Sequence, residues 1–164
     1  MKALLSKTTL WFFTAAVAVI LVDQFTKNLA IATLQPNQYV LVIPGVLNWF
    51  LTYNDSAAFS IGFGQTWIFT IIGALATLAL LWFGPRMNTK LWAVLAGCLL
   101  GGVNGNLIDR LTRAPGFGIG QVVDFISIPF NFPIFNIADS VICVVAGIVV
   151  ILTARGHKIG GGKQ

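Results

Sequence analysis

The chain has 164 residues, of which 57% are hydrophobic and 9% are charged, and its formal net charge is +5. A soluble domain carries about 25% charged residues, so this composition excludes an ordinary soluble domain and indicates a surface that faces lipid. Its ten basic residues form no continuous basic stripe, which argues against nucleic acid as a partner and favours membrane-surface and topology charge.

The first predicted element is an apolar helix over residues 10–32, long enough to cross a bilayer, which takes about 20 residues. Basic residues precede it, as in a signal peptide, but the apolar run continues through Asp23 and Lys27, so we expect a retained helix. These two charges lie four residues apart and can pair on one helix face. We expect them to position other groups rather than to take part in chemistry.

The loop over residues 33–65 contains more than a simple linker. Its segment YVLVIPGVLNWFLTYN is rich in β-branched and aromatic residues around a Pro44-Gly45 turn, and predicts two short strands. Asn54 ends this segment and is a candidate for orienting a carboxylate or binding a peptide backbone. Asp55 follows it and is predicted to be a solvated surface acid.

Two further spans follow, over residues 66–83 and 91–108, and the first of them ends at a Gly84-Pro85 helix stop. Asp109-Arg110 comes directly after the third span, where it is expected to form a local salt bridge or to tether loops. The third span also carries a face of small residues that lets a neighbouring helix come close, made of Gly97, Gly101, Gly102 and Gly105.

The loop over residues 109–133 contains GIGQVVDFISIPF, which is strand-like after its glycines and carries Asp124. A fourth span is predicted over residues 134–152, and Asn136 at its start is suited to cap the helix. Asp139 lies about one turn into this span. The tail over residues 155–164 is polar and rich in glycine, and is expected to be disordered.

The distribution of charge predicts how these spans are oriented. Seven of the ten basic residues fall on one side of four spans, and by the positive-inside tendency that side, with both termini, is cytoplasmic. All five acidic residues are aspartates, and every one lies in the outer half of the predicted molecule. The sequence therefore predicts a single all-α membrane domain with four transmembrane helices, a small extracytoplasmic sheet lying on the bilayer, and one polar site near the outer boundary.

Elimination narrows the chemistry of that site. The only histidine, His157, lies in the tail away from the acids, which argues against a Ser-His-Asp triad. No grouped His and Cys ligands suit zinc, no closely spaced carboxylate loop suits Mg²⁺ or Ca²⁺, and no Gly-rich phosphate loop follows a strand. What remains is a pair of aspartates that shares one proton and activates water, and Asp124 and Asp139 are the natural candidates, with no metal and no cofactor. Asn106 and Asn136 are candidates for orienting these carboxylates.

Two other function classes compete with this interpretation. A small proton-coupled transporter or channel also carries intramembrane Asp and Lys, but is expected to place them near the midplane, often in repeated halves. A non-enzymatic assembly factor would use its polar groups only for helix association. The clustering of the acids at one face and the lack of a repeat favour the water-activating aspartate pair.

Five segments together resemble the lipoprotein signal peptidases, the bacterial type II signal peptidases. They are DQFTK at 23–27, NDSAAFS at 54–60, GGVNGNLIDR at 101–110, GQVVDFI at 120–126 and FNIAD at 135–139. The segments follow the family's order across most of the chain. One departure is Ser56, which stands where the family motif has Gly, so the loop after Asn54 is expected to bend differently because Gly tolerates positive φ far better.

This resemblance implies a fold, an activity and a set of site residues. The fold is four transmembrane helices with a β-cradle and a mobile outer loop, in the bacterial cytoplasmic (inner) membrane. The activity is removal of the signal peptide from prolipoproteins, cutting just before a Cys that already carries diacylglycerol; the substrate and membrane lipids are the partners, and we expect a monomer. Asp124 and Asp139 match the family's catalytic pair. The positions that match residues lining or bracing the site are Asp23, Lys27, Asn54, Asn106, Asp109, Arg110, Asn136 and Ala138.

Overall fold

Four apolar helices make up most of the protein, which a computed structural model describes over residues 6–55 and 65–160. They are α1 (Lys7–Thr33), α2 (Thr66–Phe83), α3 (Lys90–Thr112) and α4 (Ile137–Ala154). Within the described ranges, these four helices are long and apolar enough to cross a membrane. The predicted architecture of four spans is therefore confirmed.

The ends of the helices follow local capping chemistry. The Ser6 hydroxyl accepts a hydrogen bond from the Thr9 N–H at 3.1 Å, which satisfies one of the free donors in the first turn of α1. α2 ends at Phe83, before the Gly84-Pro85 stop that the sequence indicates, and Gly84–Arg86 form a single 3-10 turn. α3 ends at Thr112 rather than at residue 108, so Asp109 and its neighbour belong to the helix and not to a loop.

The three strands form one antiparallel sheet in the order β1-β2-β3, and all three were expected from the sequence. They are β1 (Tyr39–Ile43), β2 (Leu47–Asn54) and β3 (Val122–Ser127). Gly45, in the turn between β1 and β2, has a φ of 71°, a conformation that glycine adopts easily. β2 is the central strand, and its Thr52 lies opposite Asp124 of β3.

α3 lies against the other three helices, and its glycines allow the close approach. A Cβ added to Gly101 would lie 2.7 Å from the Ala16 carbonyl oxygen of α1. A Cβ added to Gly102 would lie 3.0 Å from the Ala138 carbonyl oxygen of α4. The predicted small-residue face is therefore confirmed, since it allows the backbones of α1 and α4 to lie close to α3.

Separate apolar clusters fix the two ends of the bundle. One lies between the beginnings of α1 and α3 and consists of Phe12, Ala16, Ala93, Ala96 and Leu100. The other packs the end of α1 against the sheet through Ala30, Leu51, Val123 and Phe125. Because β3 is buried in this second cluster, the position of Asp124 follows from how the sheet docks on α1. We refer to this end of the molecule as the sheet end.

The tail differs in part from its prediction. Residues 155–160 fold back on the connection between α2 and α3, where the Asn88 N–H donates to the Gly160 carbonyl oxygen at 2.9 Å. Residues 161–164 and Ser56 lie outside the described residues, so the expectations for them stay predictions.

Candidate active site

The carboxylate of Asp124 is held inside the molecule by two asparagines. Asp124 lies in the middle of β3 and is 2% exposed. Its Oδ1 accepts a hydrogen bond from Asn136 Nδ2 at 2.6 Å, and its Oδ2 accepts one from Asn54 Nδ2 at 2.9 Å. The two donors come from different elements, the end of β2 and the start of α4, so this carboxylate lies where the sheet meets the bundle.

The carboxylate of Asp139 is fixed by the cap of α4. Asn136 is the N-cap residue: its side-chain oxygen accepts from the Asp139 N–H at 3.0 Å, and its own N–H donates to Asp139 Oδ2 at 3.1 Å. This reciprocal capping box confirms the predicted cap and holds the Asp139 side chain over the helix start. Asp139 Oδ1 accepts a further hydrogen bond from Asn106 Nδ2 at 2.7 Å.

Asn136 joins the two carboxylates, which we call the carboxylate pair. Its side-chain amide donates to Asp124, whereas its backbone amide donates to Asp139. Asn136 is itself fully buried, and its Nδ2 also donates to Asn106 Oδ1 at 3.1 Å. The turn between β3 and α4 thus brings two acids that lie 15 residues apart in the sequence (139 − 124) into contact with the same residue, Asn136.

Burial and charge change the acidity of Asp124. Burial, followed by the neighbouring charge of Asp139, raises the pKa of Asp124 to about 7 against the hydrogen bonds from Asn54 and Asn136, which lower it. A carboxylic acid with such a pKa keeps its proton at a pH where an ordinary aspartate is ionised. Lys27 of α1 and Arg110 of α3 also act on this region, since Lys27 stabilises the charge of Asp124 and Arg110 interacts electrostatically with both members of the pair.

A fully buried group of charges lies behind the pair, and we call Asp23, Lys27 and Asp109 the charge cluster. Lys27 Nζ lies 2.8 Å from Asp23 Oδ2 and 2.9 Å from Asp109 Oδ2. The first of these contacts confirms the predicted Asp23–Lys27 pair. The second is possible only because α3 continues past residue 108 and presents Asp109 to α1.

The charge cluster and the pair are connected through one side chain. Lys27 Nζ donates to Asn106 Oδ1 at 2.9 Å, and the opposite end of the same amide donates to Asp139. An ammonium can only donate, so it fixes the oxygen of Asn106 toward Lys27 and the NH₂ group toward the carboxylate. The acceptor side of Asn106 therefore faces the cluster and its donor side faces the pair.

The remaining candidate residues take three different places. Ala138 is fully buried, directly before Asp139 in α4, and its N–H donates to Asp23 Oδ1 at 2.9 Å. Arg110 is partly buried on α3 beside the carboxylates. Asp55 is half-buried after β2, and its carbonyl oxygen accepts from the Thr66 hydroxyl at 2.6 Å. Of the five acids, Asp55 alone is not linked to Lys27 or Asn136 within the described residues.

Two residues of this network were not identified from the sequence. Arg113 Nε lies 2.7 Å from Asp109 Oδ1, and Gln24 Nε2 donates to the same oxygen at 3.0 Å. The spacing of four between Asp109 and Arg113 is a helical pairing signal, but the predicted span ended too early for it to apply. Gln24 carried no comparable signal, because its contacts with Gly105 and Asp109 cross from α1 to α3.

Comparisons with known proteins agree with this architecture. Residues 15–155 match the family model Peptidase_A8, described as signal peptidase (SPase) II. The chain is 45% identical over 149 residues to a lipoprotein signal peptidase of Leifsonia xyli, covering 91% of this chain and 69% of that protein. It is 41% identical over 142 residues to a lipoprotein signal peptidase of Mycobacterium avium, covering 87% of this chain and 78% of that protein.

Two solved structures have the same fold. Both are bacterial membrane enzymes determined by the in meso method, one at 2.3 Å and one at 1.9 Å resolution. The first superposes with a TM-score of 0.79 at 31% identity, covering 93% of each chain. The second superposes with a TM-score of 0.73 at 34% identity, covering 87% of this chain and 91% of the other. With four apolar helices, a small sheet and a family match over most of its length, this chain belongs to the signal peptidase II family of lipoprotein signal peptidases.

Proposed function

We propose that this protein is an aspartic endopeptidase that removes the signal peptide from prolipoproteins by cutting just before a lipid-modified Cys. The observation that carries the proposal is the position of Asn136, which donates its side-chain amide to Asp124 and its backbone amide to Asp139. One residue thus holds both carboxylates near each other, and the charge of Asp139 acts on the buried Asp124, which favours a single proton on the pair.

The proposed reaction uses one proton and one water. The ionised member of the pair takes a proton from water while the oxygen attacks the carbonyl carbon of the scissile bond, and the protonated member donates its proton to the carbonyl oxygen. The newly protonated member then donates its proton to the leaving nitrogen, the other member takes a proton from a hydroxyl of the tetrahedral intermediate, and the C–N bond breaks, so the pair again holds a single proton. A pKa of about 7 for Asp124 supports this cycle, because it keeps one proton on the pair near neutral pH.

The location of the pair suits a lipid-modified substrate. Asp139 lies in the first turn of an apolar helix, and Asp124 lies in the strand that packs against the end of the bundle. A substrate whose acyl chains lie in the bilayer presents its scissile bond near the headgroups, which is the depth expected for the sheet end. We propose that the sheet end faces out of the cytoplasm and that both termini face in, as the positions of the basic residues indicate.

Conversion of each aspartate to asparagine tests the proposal. In purified enzyme with a diacylglyceryl-modified precursor, Asp124→Asn and Asp139→Asn should each abolish cleavage, since an amide can neither take up nor release the proton. Asp55→Asn is the matched control, because it removes the one acid outside the network, and it should cleave at a near-normal rate. Near-normal cleavage by either member of the pair, in folded protein, would disprove the aspartic mechanism.

Lipid dependence tests the substrate class separately. A precursor whose target Cys is replaced by Ser cannot receive the diacylglyceryl group and should be cut poorly. Equal rates for the modified and unmodified precursors would contradict a site that recognises the acyl chains, while leaving the chemistry of the pair unaffected.

A further inference from the structure

The charge cluster is buried and charged, yet it takes no part in the chemistry proposed above. We propose that Lys27 is a positioning residue that sets the separation of Asp124 and Asp139, an inference that rests on the proposed function. The role belongs to the ammonium group, because it holds the carboxylates of Asp23 and Asp109 at a fixed distance from each other.

Each hydrogen of the Lys27 ammonium has a hydrogen-bond acceptor nearby. Its three hydrogens have three close acceptors, the oxygens of Asp23 at 2.8 Å, Asp109 at 2.9 Å and Asn106 at 2.9 Å. A fourth oxygen, the Gly105 carbonyl, lies at 3.4 Å. A compact donor with three hydrogens fits this set of acceptors, whereas a planar guanidinium would not present its hydrogens in the same directions.

Each acid of the cluster holds the backbone directly before one member of the pair. Asp23 Oδ1 accepts from the N–H of Ala138, the residue before Asp139, at 2.9 Å. Asp109 Oδ2 accepts from the N–H of Val123, the residue before Asp124, at 3.2 Å. Lys27 therefore lies at the centre of two matching connections, one to the first turn of α4 and one to β3.

Helix stability alone does not account for this arrangement. The start of α4 is already capped by Asn136, and β3 is already paired with β2 along its length. Burying several charges is costly, and a buried ion pair is often no more stabilising than apolar residues of the same shape. The contacts are better explained by the need to place the two catalytic carboxylates precisely, since a misplacement of about 1 Å in an active site can lower the rate about 100-fold.

Lys27→Met tests the proposal, because methionine keeps most of the apolar stem and removes the ammonium. We expect kcat on a lipid-modified precursor to fall about 100-fold, the loss that a small misplacement can cause. KM should stay within about 3-fold, since the charge cluster is fully buried and so offers the substrate no surface to bind. Affinity for a peptide analogue with a hydroxyl in place of the scissile carbonyl should fall together with kcat. Lys90→Met is the matched control, because Lys90 is exposed beside Trp11, and its kinetics should match those of the wild type.

A charge-balanced variant keeps the test decisive if Lys27→Met does not fold. Lys27→Met alone removes the cation that pairs with both Asp23 and Asp109, whereas Asp23→Asn with Lys27→Met removes one charge of each sign and leaves Asp109 paired with Arg113. The asparagine oxygen can still accept from the Ala138 N–H, so we expect this double variant to fold and to show the same loss of kcat.

The results that overturn the proposal differ from those that overturn the proposed function. A folded Lys27→Met or double variant with kcat within about 3-fold of the wild type overturns the positioning role alone. A loss that falls entirely on KM, with unchanged affinity for the hydroxyl analogue, also overturns it. Active Asp124→Asn or Asp139→Asn protein would instead overturn the function on which the inference rests.

Discussion

The two halves of α3 use glycine for the same close approach but meet opposite kinds of side chain. A Cβ on Gly97, in the first half, would lie 2.2 Å from the Phe12 carbonyl oxygen, within an apolar cluster. A Cβ on Gly105, in the second half, would lie 2.5 Å from Asp23 Oδ2, within the charge cluster. The first half holds α1 and α3 together through apolar packing, and the second uses the same proximity to bring buried charges within hydrogen-bonding distance. We therefore expect disruption of the apolar contacts to affect stability, and disruption of the contacts with the charge cluster to affect catalysis.

Substitution of an asparagine that contacts the carboxylate pair, and of one that does not, should give the largest contrast. Asn136→Ala removes donors from both carboxylates, and we expect activity to fall by about 100-fold or more. It also removes the cap of α4, at a cost of about 1 kcal/mol in the free energy of unfolding.

Asn104→Ala is the matched control for that variant. Asn104 donates to the Thr77 hydroxyl and the Leu100 carbonyl oxygen, away from the pair, so its loss should cost about 1 kcal/mol in stability and leave activity per folded molecule unchanged. Thermal unfolding and initial rates, measured on the same preparations, compare the two. Equal activity losses would show that activity does not depend on the contacts between Asn136 and the pair.

Substitution of a glycine in each half should give a smaller contrast. In Gly105→Ala the new methyl group meets the Asp23 carboxylate and displaces it from the first turn of α4. We expect kcat to fall about 10-fold. This is less than the 100-fold loss expected for Asn136→Ala, because the Asp23 side chain can shift. In Gly101→Ala the methyl group meets Val19 and the Ala16 carbonyl, so about 1–3 kcal/mol of stability should be lost with kcat retained. Gly73→Ala makes only ordinary contacts with Leu107 and should be neutral. Unchanged kcat in Gly105→Ala would count against the link between Asp23 and the pair.

Loss of the Asn54 donor should give the smallest effect, which is a shift in the pH dependence of kcat. Asn54 donates to Asp124 Oδ2 and so stabilises its charged form, which lowers the pKa of Asp124. Asn54→Ala should raise that pKa, so the alkaline limb of the kcat profile should move to higher pH by about one unit, the change that one hydrogen bond to a charged group can cause.

Asn48→Ala is the matched control on the same strand. Asn48 lies opposite Ser127 rather than Asp124, so its substitution should not move the alkaline limb of the kcat profile. A limb that moves to lower pH in Asn54→Ala, or equally in both variants, would mean that Asp124 does not govern it.

Much of the local structure could be predicted because its signals are local. The Asp23–Lys27 contact follows from a spacing of four, the cap of α4 from Asn136 at the start of an apolar run, and the turn of the hairpin from Pro44-Gly45. Arg113 was missed because the helix end was placed at residue 108, although its spacing from Asp109 has the same form.

The connections between elements could not be predicted from such patterns. The hydrogen bonds from Ala138 to Asp23 and from Val123 to Asp109 join backbone groups to side chains 115 and 14 residues away. Every backbone N–H is chemically alike, so the choice of these two depends on how α1, α3 and the sheet pack. The acids of such a site can therefore be identified from the sequence, but the backbone groups that they bind can be identified only from the folded structure.

The proposed mechanism requires above all that Asp124 and Asp139 act on one reacting group. The most direct measurement is an experimental structure of the enzyme bound to a peptide analogue with a hydroxyl in place of the scissile carbonyl. We expect the hydroxyl oxygen to lie within about 2.6–3.2 Å of one carboxylate oxygen from each aspartate. A hydroxyl bound to only one of them, or seated away from both, would contradict the account.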